Sequence, residues 1–349
     1  MNITKELSQI SWQVPEPEYR ADPALSYSIL SRYEKDGFDK LGHLYDKIES
    51  PSLLLGSCVD ALLTGGTSEF KDRFVVFDLN CTESGIRIVK TLAGMELPYK
   101  SFYQIPEPIV SDVAKKLEFW MDDKYDKKRY GKVLDTGNVA DYYEALISTD
   151  KTIVSSTIYN DALHCVEALK SSPNTQGYFT ADNEDSPIRR YYQLKFKTVF
   201  KNISYRCMAD LLVVDYENKI IYPCDLKTTG KQEWHFEDSF LQFNYSIQAR
   251  LYWRIIKDCL SKDDYFKDFE LGNFRFIVVN SHSLIPLVWE FPYTKYNGSL
   301  ISSRDMEYRD PFVIGKELHE YLVNEHDVPQ GIDRYGLNTI SCLKPMETN

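Results

Sequence analysis

Three stretches between positions 191 and 227 constrain this chain more than any other feature. Residues 191–200, 205–214 and 219–227 are rich in β-branched and aromatic side chains and are predicted to be strands. The last two flank a turn centred on Glu217-Asn218, short enough to impose antiparallel pairing. An even-numbered turn centred there puts residue 210 opposite residue 225, and both are aspartate. Opposed side chains in such a pair have Cβ atoms about 4.5–5.5 Å apart, so two carboxylates repel and weaken the ladder. A divalent cation reverses that sign, because hard oxygen ligands on neighbouring strands then become its anchor.

Asp225 and Lys227 lie two apart and share a strand face, while Leu226 points to the other. This places an ammonium beside the two acids. Metal-assisted phosphodiester hydrolysis needs such a set: ligands for the ion, and a fixed positive charge to stabilise developing negative charge. The triplet alone is degenerate. Asp122-Asp123-Lys124 and Asp126-Lys127-Lys128 match it too, but in a charged, strand-poor stretch that reads as solvated surface. The competing interpretation of Asp210 and Asp225 is solvent-exposed charge at strand ends.

Elsewhere the pattern is mainly helical. Ser26 or Ser28 is expected to cap a helix. A second follows Pro51, with Leu55, Val59, Leu62 and Leu63 on one stripe and Gly65-Gly66 ending it. Further helices are expected at 140–147, 155–169, 239–256 and 311–324, and strands at 274–279 and 287–291. Together these predict one α/β domain: an irregular arm (1–20), a mainly helical part (21–190), a sheet core (191–295) and a closing helix with tail (296–349). In the long helix, Tyr245, Gln248 and Tyr252 fall on one face. Asp60 interrupts an otherwise apolar helix, so it must either reach the polar side with Ser57 and Thr64 or be neutralised by a cation.

Composition limits the alternatives. The net charge of −11 argues against a broadly nucleic-acid-binding surface and confines any such contact to one cleft. Seven cysteines form no C-x-x-C pair, and six histidines show no H-E-x-x-H spacing, which disfavours zinc and iron–sulfur sites. No apolar run nears the roughly 20 residues of a membrane span, and no basic-then-apolar leader opens the chain, so a soluble, cytoplasmic protein is expected.

Taken in order, five elements resemble the RecB-type nucleases of the PD-(D/E)XK superfamily, and most of all the phage recombination exonucleases related to RecE (exonuclease VIII). They are Ser26-Tyr27-Ser28-Ile29-Leu30, Gly56-x-x-x-Asp60-x-x-Leu63, Arg206-Cys207-Met208-Ala209-Asp210, Asp225-Leu226-Lys227-Thr228-Thr229 and Tyr245-x-x-Gln248-x-x-x-Tyr252. The resemblance implies a restriction-endonuclease-like core, a mixed central sheet flanked by helices with N-terminal helical elaborations. It implies Mg²⁺ or Mn²⁺ held by Asp210, Asp225 and the Leu226 carbonyl, with Asp60 as a further candidate ligand. Lys227 is then the catalytic lysine, Gln248 and Tyr252 support the site, and Ser57, Arg206, Thr228, Thr229 and Tyr245 approach DNA. The implied activity is exonucleolytic hydrolysis of linear duplex DNA, 5′ to 3′, in phage-type recombination, with a single-strand annealing protein as partner and ring-shaped homo-oligomers. An endonuclease or nickase with the same centre, and a non-catalytic nucleic-acid-binding protein of the same fold, are the alternatives. Two positions depart from the family pattern: Asp60 stands where histidine is frequent, and Gln193 where some relatives carry glutamate.

Overall fold

The central hairpin adopts the register its turn demands. The computed structural model describes residues 5–46, 50–183, 185–292, 300–301 and 307–323. Strands β1 (Ile188–Phe200), β2 (Ile203–Asp215) and β3 (Ile220–Thr229) are antiparallel neighbours. Asp215 pairs with Ile220 and Leu211 with Cys224, the register centred on Glu217-Asn218. The turn is closed by the Asp215 carboxylate, which accepts the amides of Glu217 (3.1 Å) and Asn218 (3.0 Å), while Lys219 takes φ of 52°. Beyond β3 the sheet continues through β4 (Phe274–Asn280), parallel to β3, and β5 (Leu287–Phe291), antiparallel to β4. A short strand, Glu270–Leu271, also pairs with β3. The fold is thus α/β with a mixed central sheet.

The parallel β3–β4 step requires a crossover, and helices α2 (Phe236–Gln242) and α3 (Tyr245–Ser261) lie within it. Ile247, Leu251 and Ile255 recur along one stripe of α3 and join a core with Leu212 and Val214 of β2 and Phe276 and Val278 of β4. Helix α1 (Tyr27–Asp36) adds Leu30 and Tyr33 to that core, and α4 (Pro311–Val323) adds Ile314 and Leu318.

Three local expectations need correction. The single helix expected over 239–256 is two, because Asn244 takes a left-handed conformation (φ 53°, ψ 43°) between α2 and α3. Asparagine tolerates that region better than most residues. Ser26 stands at the N-cap of α1, but its hydroxyl meets Ser28 Oγ (3.1 Å) and caps no amide. The arm is not wholly irregular: it contains a 3₁₀ turn at Leu7–Ile10 and a helix at Glu16–Ala21.

Arg206 explains how the arm is held, and this corrects its expected role as a DNA contact. The residue is 5% exposed. Its guanidinium donates to the carbonyls of Tyr19, Ala24 (3.1 Å) and Arg20 (3.4 Å), and lies 4.6 Å from the Tyr19 ring centroid. Leu25 then bridges to Tyr205, exchanging backbone bonds with Ser204 and Arg206 at 2.9 Å each. A buried cation committed to three carbonyls of the arm is unavailable to phosphate.

The chain divides into two compact units. One comprises 1–52 and 165–349; the other, Leu53–His164, is inserted into it. The inserted unit has its own core, built from helices Glu83–Ala93, Glu107–Lys116, Arg129–Leu134 and Val139–Ser148 around Ile88, Leu92, Phe102, Val110 and Tyr143. It also carries a small parallel pair, Phe74–Val76 with Thr152–Val154. Among the described residues no helix is long and apolar enough to cross a membrane.

Replacing Arg206 with alanine strands the three arm carbonyls, and is expected to lower unfolding free energy by about 3 kcal/mol. Urea denaturation checks this, and the size of the loss should be independent of added DNA.

Candidate functional site

The site forms where regular pairing between β2 and β3 ends. Their ladder runs from Asp215–Ile220 to Leu211–Cys224, and one step further in the same register stand Asp210 and Asp225. There the Leu226 amide donates to Asp210 Oδ2 at 3.0 Å, so a side chain takes a strand amide as its partner. The neighbouring strand β1 is distorted at the same level. Gln193, flanked by the pairs Tyr192–Leu211 and Leu194–Ala209, has φ of 54°. Left-handed backbone in a non-glycine residue costs roughly 1–2 kcal/mol. Side-chain alternation shifts across this level: Leu212 and Val214 on one side, and Cys207 and Ala209 on the other, all enter the same core. Gln193 Nε2 comes within 3.5 Å of Asp210 Oδ1, the outer limit of a hydrogen bond.

Asp225 is 2% exposed and gripped from two directions. From α3, Gln248 Nε2 donates to Oδ1 at 2.5 Å; from its own strand, Lys227 Nζ lies 2.7 Å from Oδ2. Lys227 also sits over the Tyr245 ring, 4.4 Å from its centroid, an attraction of ammonium to ring quadrupole. Burial alone would lower the Lys227 pKa. Asp225 foremost, then Tyr245, Tyr27 and Asp210, outweigh it, and the net shift is upward. Pairing with Asp225 thus favours the ammonium form of Lys227. Tyr252, 9% exposed, has its phenol pushed far up, chiefly by burial, with both aspartates adding to the effect; it stays a neutral hydroxyl.

Two buried oxygens bear on what the site could hold. Gln248 Oε1 has no hydrogen-bond partner, and Asp225 Oδ2 has none either, its closeness to Lys227 being charge pairing without hydrogen-bond alignment. A buried acceptor with no partner, as at Gln248 Oε1, is costly unless a cation or donor reaches it; at Asp225 Oδ2 the Lys227 ammonium already does. Among the described residues, no three of His, Cys, Asp or Glu gather about one point; the acids here are a pair.

Of the residues singled out from sequence, Asp210 contacts Leu226, Asp225 contacts Gln248 and Lys227, and Lys227 contacts Tyr245. Tyr252 is electrostatically coupled to both acids. Thr228 and Thr229 are half-buried at the end of β3, paired with Val279 and Asn280, and Thr229 Oγ1 accepts the Lys231 amide at 3.0 Å. Asp60 and Ser57 belong to the inserted unit. There Asp60 is neutralised by Arg73 at 3.3 Å, which answers its need for a cation, and Ser57 Oγ donates to the Leu53 carbonyl at 3.0 Å. Sequence reasoning missed Gln193 as a partner of Asp210, and missed Tyr27, whose hydroxyl donates to the Phe243 carbonyl at 2.6 Å. No spacing rule connects positions 216 apart.

No family model and no curated protein matches this chain. Among solved structures, one named "Putative exonuclease", from Eubacterium rectale, is similar with a TM-score of 0.41 and 13% identity, covering 81% of this chain and 79% of that one.

Because the folded-state pKa of Lys227 is raised, its pairing with Asp225 is complete below the ordinary lysine value of 10.5 and is lost as pH climbs through the raised value. Lys227→Met leaves a buried carboxylate without its cation and should cost roughly 3 kcal/mol. In denaturation of the metal-free protein, that deficit should stay constant from about pH 7 to 9 and narrow only at more alkaline pH.

Proposed function

We propose that this chain is a metal-dependent deoxyribonuclease of the PD-(D/E)XK type. The observation that carries the proposal is that Asp210 of β2 accepts the Leu226 amide at the centre of the Asp225-Leu226-Lys227 triplet of β3, whose lysine pairs with Asp225 at 2.7 Å. The residues present fit a hard divalent ion. Gln248 Oε1, buried without a hydrogen-bond partner, and the Asp210 and Asp225 carboxylates belong to an all-oxygen donor set, which would suit Mg²⁺ or Mn²⁺ and not a soft metal. Asp210, Asp225 and the Leu226 carbonyl would hold it. Such an ion, when bound, polarises a phosphate and supplies hydroxide at neutral pH.

The chain's own groups account for the rest. Gln248 fixes the rotation of the Asp225 carboxylate, and the Leu226 amide does the same for Asp210. Lys227 supplies fixed positive charge where negative charge accumulates on the phosphate as the bond to the leaving oxygen lengthens. Tyr252, held as a neutral phenol, is a donor for a phosphate oxygen or the leaving group. Thr228 and Thr229, following the lysine on the strand, border the substrate path.

The sequence resemblance supports duplex DNA as substrate, attack from ends in the 5′ to 3′ direction, a single-strand annealing protein as partner, ring-shaped homo-oligomers and a place in phage-type recombination within the host cytoplasm. A net charge of −11 fits this if DNA meets the protein only within an enclosed cleft or channel.

Mn²⁺ at about 100 times its dissociation constant should stabilise the wild type by about 2.7 kcal/mol, and this gain should vanish in Asp225→Asn. In the same variant, release of nucleotides from linear duplex DNA should fall about 100-fold or more. Covalently closed circles should resist the wild type; rapid nicking of circles would favour the endonuclease alternative. Undiminished cleavage by Asp225→Asn would overturn the assignment.

A further inference from the structure

We infer that Phe243 is a nucleobase platform one ring away from the Asp225–Lys227 centre, stacking on the base beside the phosphate to be cleaved. This rests on the nuclease proposal and adds to it a substrate-positioning residue that no motif indicates. Phe243 is 47% exposed, although its neighbours in the same aromatic cluster, Phe236 and Phe276, are 4% and 1% exposed. Its backbone is fixed on both sides. The carbonyl accepts Tyr27 Oη at 2.6 Å and Ser31 Oγ at 3.2 Å from α1, the amide donates to the Ser239 carbonyl at 3.0 Å, and the next residue, Asn244, holds the left-handed turn. A large apolar ring is thus displayed to water from a rigid mount, where a polar residue would satisfy the same backbone.

The location gives the ring its occupant. The Phe243 ring lies 5.6 Å from Tyr245 at an interplanar angle of 34°, and the Tyr245 ring in turn carries the Lys227 ammonium at 4.4 Å. An exposed π-face therefore sits one ring away from a fixed cation that is itself paired with a buried acid. A nucleotide has the complementary pattern, a flat base joined to an anionic phosphate. Stacking of this kind tolerates any base, because every base has a π-face.

The test uses the full-length chain and two synthetic duplexes, one intact and one abasic at the nucleotide next to the cleaved bond. With Mn²⁺, Phe243→Ala should raise KM on the intact duplex about tenfold, with kcat changed less than about twofold. Phe243→Trp should restore the wild-type KM, while Phe243→Leu, which keeps the bulk without the π-face, should not. On the abasic duplex all four proteins should behave alike. A second readout needs no cleavage: with Ca²⁺ in place of Mn²⁺, a terminal 2-aminopurine should be quenched by wild type and by Phe243→Trp only. Wild-type KM in Phe243→Ala, or an equal defect on both duplexes, overturns the platform and leaves the nuclease proposal standing. Quenching by a wild type that never cleaves keeps the platform and overturns the nuclease; neither quenching nor cleavage overturns both.

Discussion

A carboxylate that takes the place of a strand carbonyl governs the centre of this protein. By accepting the Leu226 amide, Asp210 ends the β2–β3 ladder while keeping the two strands in register. Without that bond, the amide of a half-buried residue would lack a partner, and the two aspartates would be two like charges with nothing to order them. The distortion at Gln193 belongs to the same solution. Both strands shift phase at this level, so the acid occupies the step between two halves of a continuous apolar face. Strain of this kind persists only where the surroundings overdetermine it.

Electrostatic balance follows from that arrangement. Asp225 is buried with one cation and one carboxamide, and the cation is buried with one acid and a tyrosine face. Each charge is tolerable in the interior only because the other is there. The helix that delivers Gln248 and Tyr245 is itself positioned by a left-handed asparagine and by two hydroxyls from α1. The site thus depends on three separated parts of the sequence meeting on one sheet face.

How much of this was legible in the sequence depends on how local each cause is. The register of the hairpin was, because a short turn and a two-residue period leave little freedom, and it alone brought Asp210, Asp225 and Lys227 together. Gln248 and Tyr245 were legible from helical spacing. The break at Asn244 was not, since the apolar pattern of 239–256 runs through it and asparagine only permits a left-handed residue without requiring one. Arg206 was misjudged because a guanidinium next to an acidic motif suits phosphate and carbonyl oxygen equally well, and only burial separates the two. The pairing of Asp60 with Arg73, and the inserted unit around them, depend on contacts that no periodicity encodes.

The Arg206 clamp has a consequence for biosynthesis. The carbonyls of Tyr19 and Arg20 wait for a donor 187 and 186 positions later, so the arm cannot dock until β2 has left the ribosome. By then the whole of Leu53–His164, with a core of its own, has already been made. Vectorial synthesis therefore lets the Leu53–His164 unit fold before the arm docks, although the arm is made earlier.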